Sequence, residues 1–199
     1  MNYNEIDWTA DRPDTNAFAA DWAKTVITPV QPTDSRLKAV VEALESTHVN
    51  GGAEVAQFRL DTAEAVFWFL SRNRLKENSF FNLFFSDPSV LKAIPAISAP
   101  NELVSEFAME GSFTAVGRLA HIISQGGAYK RFAGSDAEVL RLSLNFADGA
   151  FGGRFSTTLA WVNWSAWSPL FCDIAWDGTF LFFDKTEGLI TVLIITDTD

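Results

Sequence analysis

The segment Leu189–Thr196 reads LITVLIIT and is apolar on both strand parities. Ile190, Val192 and Ile194 fall on one face of an extended chain, and Leu189, Leu193 and Ile195 fall on the other. A run this rich in β-branched residues suits a strand, and a strand with no polar face has to be covered on both sides. The fold must therefore bring two apolar layers against this one element. Helices on both faces would do so, as would helices on one face and a second subunit on the other, so a homodimer is one of the expected arrangements.

The residues leading into this strand predict its partners. Asp177-Gly178 separates the apolar runs FCDIAW and TFLFF, and both residues tolerate the positive φ of a type I′ hairpin turn. Asp184–Gly188 reads as the next turn. The expected strands are 157–163, 171–176, 179–184 and 189–196, arranged as an antiparallel meander.

Upstream the pattern is mainly helical. Phe18, Trp22 and Val26 recur at helical spacing after Asp14, with Pro29 as the stop. Asp34 opens a helix carrying Leu37, Val40, Val41 and Leu44 on one face. Residues 53–60 fit a short strand or a helical turn equally well. Asp61 and Glu64 have the spacing of a capping box at the start of AEAVFWFLSRN, which is apolar on nearly all sides and implies a buried helix packed on the meander. SFFNLFF at 79–85 is too short for periodicity to decide its state. Asp87-Pro88 starts a brief helix, residues 95–100 form a linker, Asn101 caps a helix with Leu103, Val104 and Phe107 inside, and Ser112 opens another with Phe113 and Val116.

One stretch carries two patterns. Leu140, Leu142, Leu144 and Phe146 alternate as a strand would, whereas Val139, Leu142, Phe146 and Ala150 follow helical spacing. Ser135 and Glu138 form a capping box, leucine favours helices, and Gly152-Gly153 supplies a stop, so 135–151 is predicted to be a helix. The fold class expected is α+β, with a mostly helical N-terminal two-thirds packed on a C-terminal antiparallel β-meander. The 199 residues suit a single globular domain, 1–199, with 95–100 as the one place for a weak subdivision.

Charge narrows the partners. With 25 acidic and 15 basic residues the chain carries a net charge of −10, which argues against nucleic acid and serves solubility first, with attraction of a basic protein partner as the other reading. Arg72, Arg74 and Lys76 sit where they would complement the C-terminal end of a helix dipole. The acidic, polar N-terminus does not read as a signal peptide, no apolar run is long enough to span a bilayer, and Cys172 has no partner for an internal disulfide. A cytoplasmic protein without membrane contact is expected, with Cys172 as a small buried hydrophobe in its strand.

Catalytic signatures are sparse. The sequence holds no GxSxG, phosphate loop, HExxH or paired CxxC, and only two histidines, His48 and His121. His121 reads as a partly buried structural residue beside core positions. The candidate ligand site is the aromatic cluster of the C-terminal third, Trp164, Trp167, Asp173 and Trp176, with Tyr129 as a polar contributor. Aromatic-lined clefts with a few fixed polar groups receive sugars, bases and apolar ligands, while the same tryptophans serve first of all as large core fillers. On the parity of a continued strand, Trp161 and Trp167 share one face and Trp164 takes the other. The meander register also places Asp177 at the same sheet edge as Asp197 and Asp199, and carboxylates gathered there suit Mg²⁺ or Ca²⁺; the same residues serve equally as a turn former and a polar tail, without any cofactor. Two functions follow. The first is a non-enzymatic acidic binding or regulatory module of the immunity or antitoxin kind. The second is a small-molecule-binding protein or hydrolase using a Trp-lined cleft with carboxylates and a divalent metal.

Overall fold

The computed structural model describes residues 6–100 and 107–199. Along the chain the elements are α1 (Thr15–Trp22), β1 (Val26–Val30), α2 (Ser35–Glu45), β2 (Gly52–Asp61), α3 (Glu64–Ser71), α4 (Phe80–Phe85), α5 (Pro88–Ala93), β3 (Ala108–Gly111), α6 (Ser112–Gln125), α7 (Asp136–Phe151), β4 (Thr158–Asn163), β5 (Gly178–Asp184) and β6 (Leu189–Thr196). The six strands form one antiparallel sheet in the order β1-β2-β6-β5-β4-β3. The protein is thus α+β with an antiparallel sheet, and the apolar strand β6 lies inside it between β2 and β5.

Both faces of β6 are covered by helices of the same chain. On one face Ile190, Val192 and Ile194 pack with Phe58, Trp161, Leu181 and Phe183 under α1, α3, α4 and α5. On the other, Leu193 and Ile195 pack with Val162, Phe180 and Phe182 under α2, α6 and α7. The first layer is largely aromatic: Phe81 stacks on Phe107 at 4.2 Å and stands edge-on to Trp161 at 5.6 Å. The described chain therefore supplies both covering layers itself.

The helix over 136–151 forms as predicted. Ser135 accepts from the Glu138 N–H, and the Glu138 carboxylate accepts in return from the Ser135 N–H at 2.7 Å. Leu140 and Leu144, which made the stretch look like a strand, lie on the exposed side of the helix. Asp14, Asp34 and Asp87 cap α1, α2 and α5 through their side chains. The short aromatic run at 80–85 is helical, and all four of its phenylalanines are buried.

The sheet departs from the expected meander in three places. First, it recruits early strands. Residues 52–61 become β2, which pairs along its length with β6, and β1 pairs with β2, opposing Pro29 to Phe58. α1 thus ends at Trp22, and Pro29 sits within an edge strand, where a residue with no N–H to donate is tolerated. Second, Asp61 ends β2 rather than capping α3, whose N-cap is Ala63 without a side-chain bond. Third, the expected strand 171–176 does not form. A loop over 164–177 connects β4 to β5, so Cys172 is exposed rather than a buried strand residue. The helix expected from Asn101, with Leu103 and Val104, lies outside the described residues, while Phe107 is buried in the aromatic layer. Phe113 does not enter the core; it is exposed on α6 and stacks on Phe155 at 4.2 Å.

Candidate functional site

The loop 164–177 is built from its two ends. At its start the Asn163 side-chain oxygen accepts from the Ser165 N–H at 2.8 Å and the Ser165 hydroxyl at 2.7 Å, a local turn that ends β4. At its close, buried Asp177 gathers three donors. One carboxylate oxygen accepts from the Cys172 N–H at 2.8 Å and the Ile174 N–H at 3.2 Å, and the other from the Thr196 hydroxyl at 2.6 Å. The expected hairpin fails for this reason. Asp177 faces inward as an acceptor, and Gly178, whose φ is not positive, is already the first residue of β5, opposite Ile195.

Trp164 and Trp167, two of the three tryptophans in this loop, go to opposite faces of the sheet although the strand ends before them. Trp167 turns into the aromatic layer, with its ring 4.4 Å from that of Phe85 and its Nε1 donating to the Thr179 hydroxyl at 2.9 Å. It packs against the aromatic core and lines neither of the two clefts described below. Trp164 lies on the other side, edge-on to Phe180 at 5.5 Å, with its ring over Gly178. A Cβ at position 178 would stand 2.8 Å from the Trp164 ring, so the glycine is there to let the indole approach.

Trp164 and half-buried Trp176 line one cleft, of about 260 Å³, at this end of the sheet. Its other walls include His48, His121, Gln125 and Arg131. The structure therefore unites two of the five candidate ligand residues. Asp173 is exposed with φ of 59° in the loop, and Tyr129 is exposed; neither lines the cleft. His121 is exposed on α6 and belongs to the cleft wall, which corrects its reading as a partly buried structural residue. Sequence reasoning passed over His48, Gln125 and Arg131, since each comes from a different helix end or loop and no local spacing links them.

Asp197 is fully buried, like Asp177, but it is engaged elsewhere. Its two oxygens accept from the N–H groups of Asn50 and Ala128, each at 2.8 Å, tying the loops after α2 and α6 to the end of β6. Gly127 makes this possible, because a Cβ there would stand 2.2 Å from the Asp197 carboxylate and 2.5 Å from the Thr47 carbonyl. Asp199 is exposed. Among the described residues, no three His, Cys, Asp or Glu side chains are placed to hold a metal ion together.

A second and larger cleft, of about 660 Å³, opens where residues 6–13 cross α1 and α3. Trp68 Nε1 donates to the Ala10 carbonyl at 2.9 Å, and the Arg72 guanidinium donates to the Asp7 carbonyl at 2.7 Å. Arg72 lies between two indoles, 4.4 Å from the ring centre of Trp68 and 5.3 Å from that of Trp8. The three cations after α3 are thus individually engaged: Arg72 between the tryptophans, Arg74 with Glu77, and Lys76 on the Phe107 carbonyl at 2.9 Å. Among the described residues, four carboxylates line the cleft beside Arg72: Asp7, Asp11, Asp21 and Glu64. Bonds from the Thr9 hydroxyl and N–H hold the Asp7 carboxyl below its ordinary range, and those from the Ala65 N–H and Lys24 do the same for Asp21. Asp11 and Glu64 make no ion pair with another described residue.

No helix among the described residues is long and apolar enough to cross a membrane. Compared with protein-family models and with curated proteins, the chain matches none.

Proposed function

We propose that this chain is a cytoplasmic, non-enzymatic binding module that works without a cofactor and receives a cationic segment of a protein partner in the acidic cleft between residues 6–13, α1 and α3. The observation that carries this reading is the pair Asp11 and Glu64, two carboxylates without an ion-pair partner among the described residues, on the wall of a cleft that already holds two more ionised acids. Like charges around a concave, partly apolar surface reinforce one another, and the field they focus attracts a cation. Trp68 and Phe67 give the cleft an apolar wall against which the stem of a lysine or arginine packs. The net charge of −10 adds long-range steering towards a basic surface.

The test is calorimetric titration with an arginine-rich peptide, using its citrulline counterpart as the uncharged control. The arginine peptide should bind, and binding should weaken as salt is raised. Asp11→Asn and Glu64→Gln should each weaken it several-fold while leaving the thermal midpoint unchanged, because neither side chain holds the fold together. Equal binding of the citrulline peptide, or affinity indifferent to both substitutions, would rule the acidic cleft out as the receiving surface.

A further inference from the structure

The smaller cleft, at the end of the sheet, contains a polar atom that the fold leaves unmatched. His48 follows α2 and is 1% exposed. Its Nδ1 lies 3.0 Å from the Leu44 carbonyl oxygen, which can only accept, so Nδ1 carries the proton. The Thr47 hydroxyl donates to the same carbonyl at 2.9 Å, and its oxygen, 3.0 Å from Nδ1, is left to accept from the ring N–H as well. A neutral imidazole has a single N–H, so Nε2 presents a bare lone pair. Burial holds the His48 pKa below its ordinary value, which keeps the ring neutral. Nε2 is buried and has no hydrogen-bond partner among the described residues. Buried acceptors are rarely left in this state unless a ligand or water completes them. Of the side-chain atoms unmatched in this way, His48 Nε2 is the one whose residue lines a cleft described above.

The rest of the wall defines what would complete it. Trp164 and Trp176 offer aromatic surface, with Trp164 held over Gly178. Arg131 stands at the rim, its guanidinium donating to the main-chain and side-chain oxygens of Gln125. His121 adds a second imidazole, and no carboxylate of the described residues lines the cleft. A volume of about 260 Å³ suits one or two fused rings. We propose that this cleft binds a small planar aromatic acid bearing an N–H or O–H donor. The donor meets His48 Nε2, the ring lies against Trp164 and Trp176, and the carboxylate faces Arg131. This site is independent of the acidic cleft and is opposite to it in charge.

Two matched pairs of probes test the proposal: indole-3-carboxylate against its N-methyl derivative, and 4-hydroxybenzoate against 4-methoxybenzoate. Within each pair a methyl group replaces the donor hydrogen. At least one donor-bearing acid should bind, its methylated partner should bind roughly tenfold more weakly, and Trp164→Ala should weaken the donor-bearing acid by removing the wall its ring lies against. In the unaltered protein the ¹⁵N resonance of His48 Nε2 should move upfield on saturation, as a lone pair does on accepting a proton donor. That measurement stands even if the tryptophan variant folds poorly. Equal affinity within both pairs, binding that leaves the Nε2 resonance unmoved, or failure of both donor-bearing acids at millimolar concentration would each overturn it.

Discussion

Replacing Asp177 tests how the site loop is held, because three donors from two parts of the chain converge on this one carboxylate. In Asp177→Ala the N–H groups of Cys172 and Ile174 and the hydroxyl of Thr196 lose their acceptor. A buried donor left unpaired costs about 1–3 kcal/mol. Cys172 is exposed and Ile174 half-buried, so water can recover much of the loss at those two N–H groups, leaving about 1 kcal/mol each. Thr196 lies at the buried end of β6 and should cost about 1–2 kcal/mol. The sum, about 3–4 kcal/mol, is a large part of the ~5–15 kcal/mol by which domains are stable. For a chain of this size it corresponds to a fall in Tm of roughly 10 °C. Asp177→Asn should behave differently. Its amide oxygen can keep both N–H bonds, and its NH₂ can donate to Thr196 once that hydroxyl turns, so only charge assistance is lost, about 1 kcal/mol. Urea denaturation followed by tryptophan fluorescence measures both variants. If the alanine and asparagine variants are equally destabilised, or if neither changes the midpoint, Asp177 does not organise the loop as described.

Two further outcomes follow from the packing. Gly178→Ala should destabilise by about 1–2 kcal/mol through overpacking against the Trp164 ring, and adding Trp164→Ala should recover most of that loss; a cost that persists in the double variant would place the constraint in the backbone instead. Glu54 sits on β2 with its carboxyl pushed above the ordinary range by burial. The folded state then holds that proton more tightly than the unfolded chain does, so stability falls as pH rises from the ordinary carboxylate range through the folded pKa. Glu54→Gln should therefore raise Tm at neutral pH and leave it unchanged in acid; an equal gain at both pH values would refute the burial argument.

Much of the layering could be read from local chemistry. The two apolar parities of Leu189–Thr196 required cover on both sides, and helices supply it on each face of the sheet. The capping box at Ser135 and Glu138 outweighed the alternating leucines because it satisfies two N–H groups whose loss a strand pattern does not address. The early strands were harder to see. β1 contains Pro29, which ordinarily speaks against a strand, and it exists because β2 offers it an edge. β2 in turn depends on β6, more than a hundred residues later, and no local pattern reports a partner so distant. Asp61 shows the converse error: its spacing to Glu64 imitates a cap, but pairing with Val26 extends the strand through it.

The site was legible in its residue types and misread in its geometry, and Asp177-Gly178 shows why. An Asp-Gly pair between apolar runs has two solutions. Both residues can turn the chain at positive φ, or the aspartate can face inward and collect donors while the glycine makes room for a neighbour. Local sequence favours the first. The second is chosen here by Thr196, which gives Asp177 a buried donor, and by Trp164, which takes the space a Cβ at Gly178 would fill. That choice converts an expected tight hairpin into a 164–177 loop, and the loop carries Trp164 and Trp176 to the wall that His48 and Arg131 complete. A carboxylate that looked like a metal ligand is thereby committed to positioning the aromatic residues beside it. The chemistry available to the cleft then rests on His48 and Arg131, which local sequence patterns did not single out.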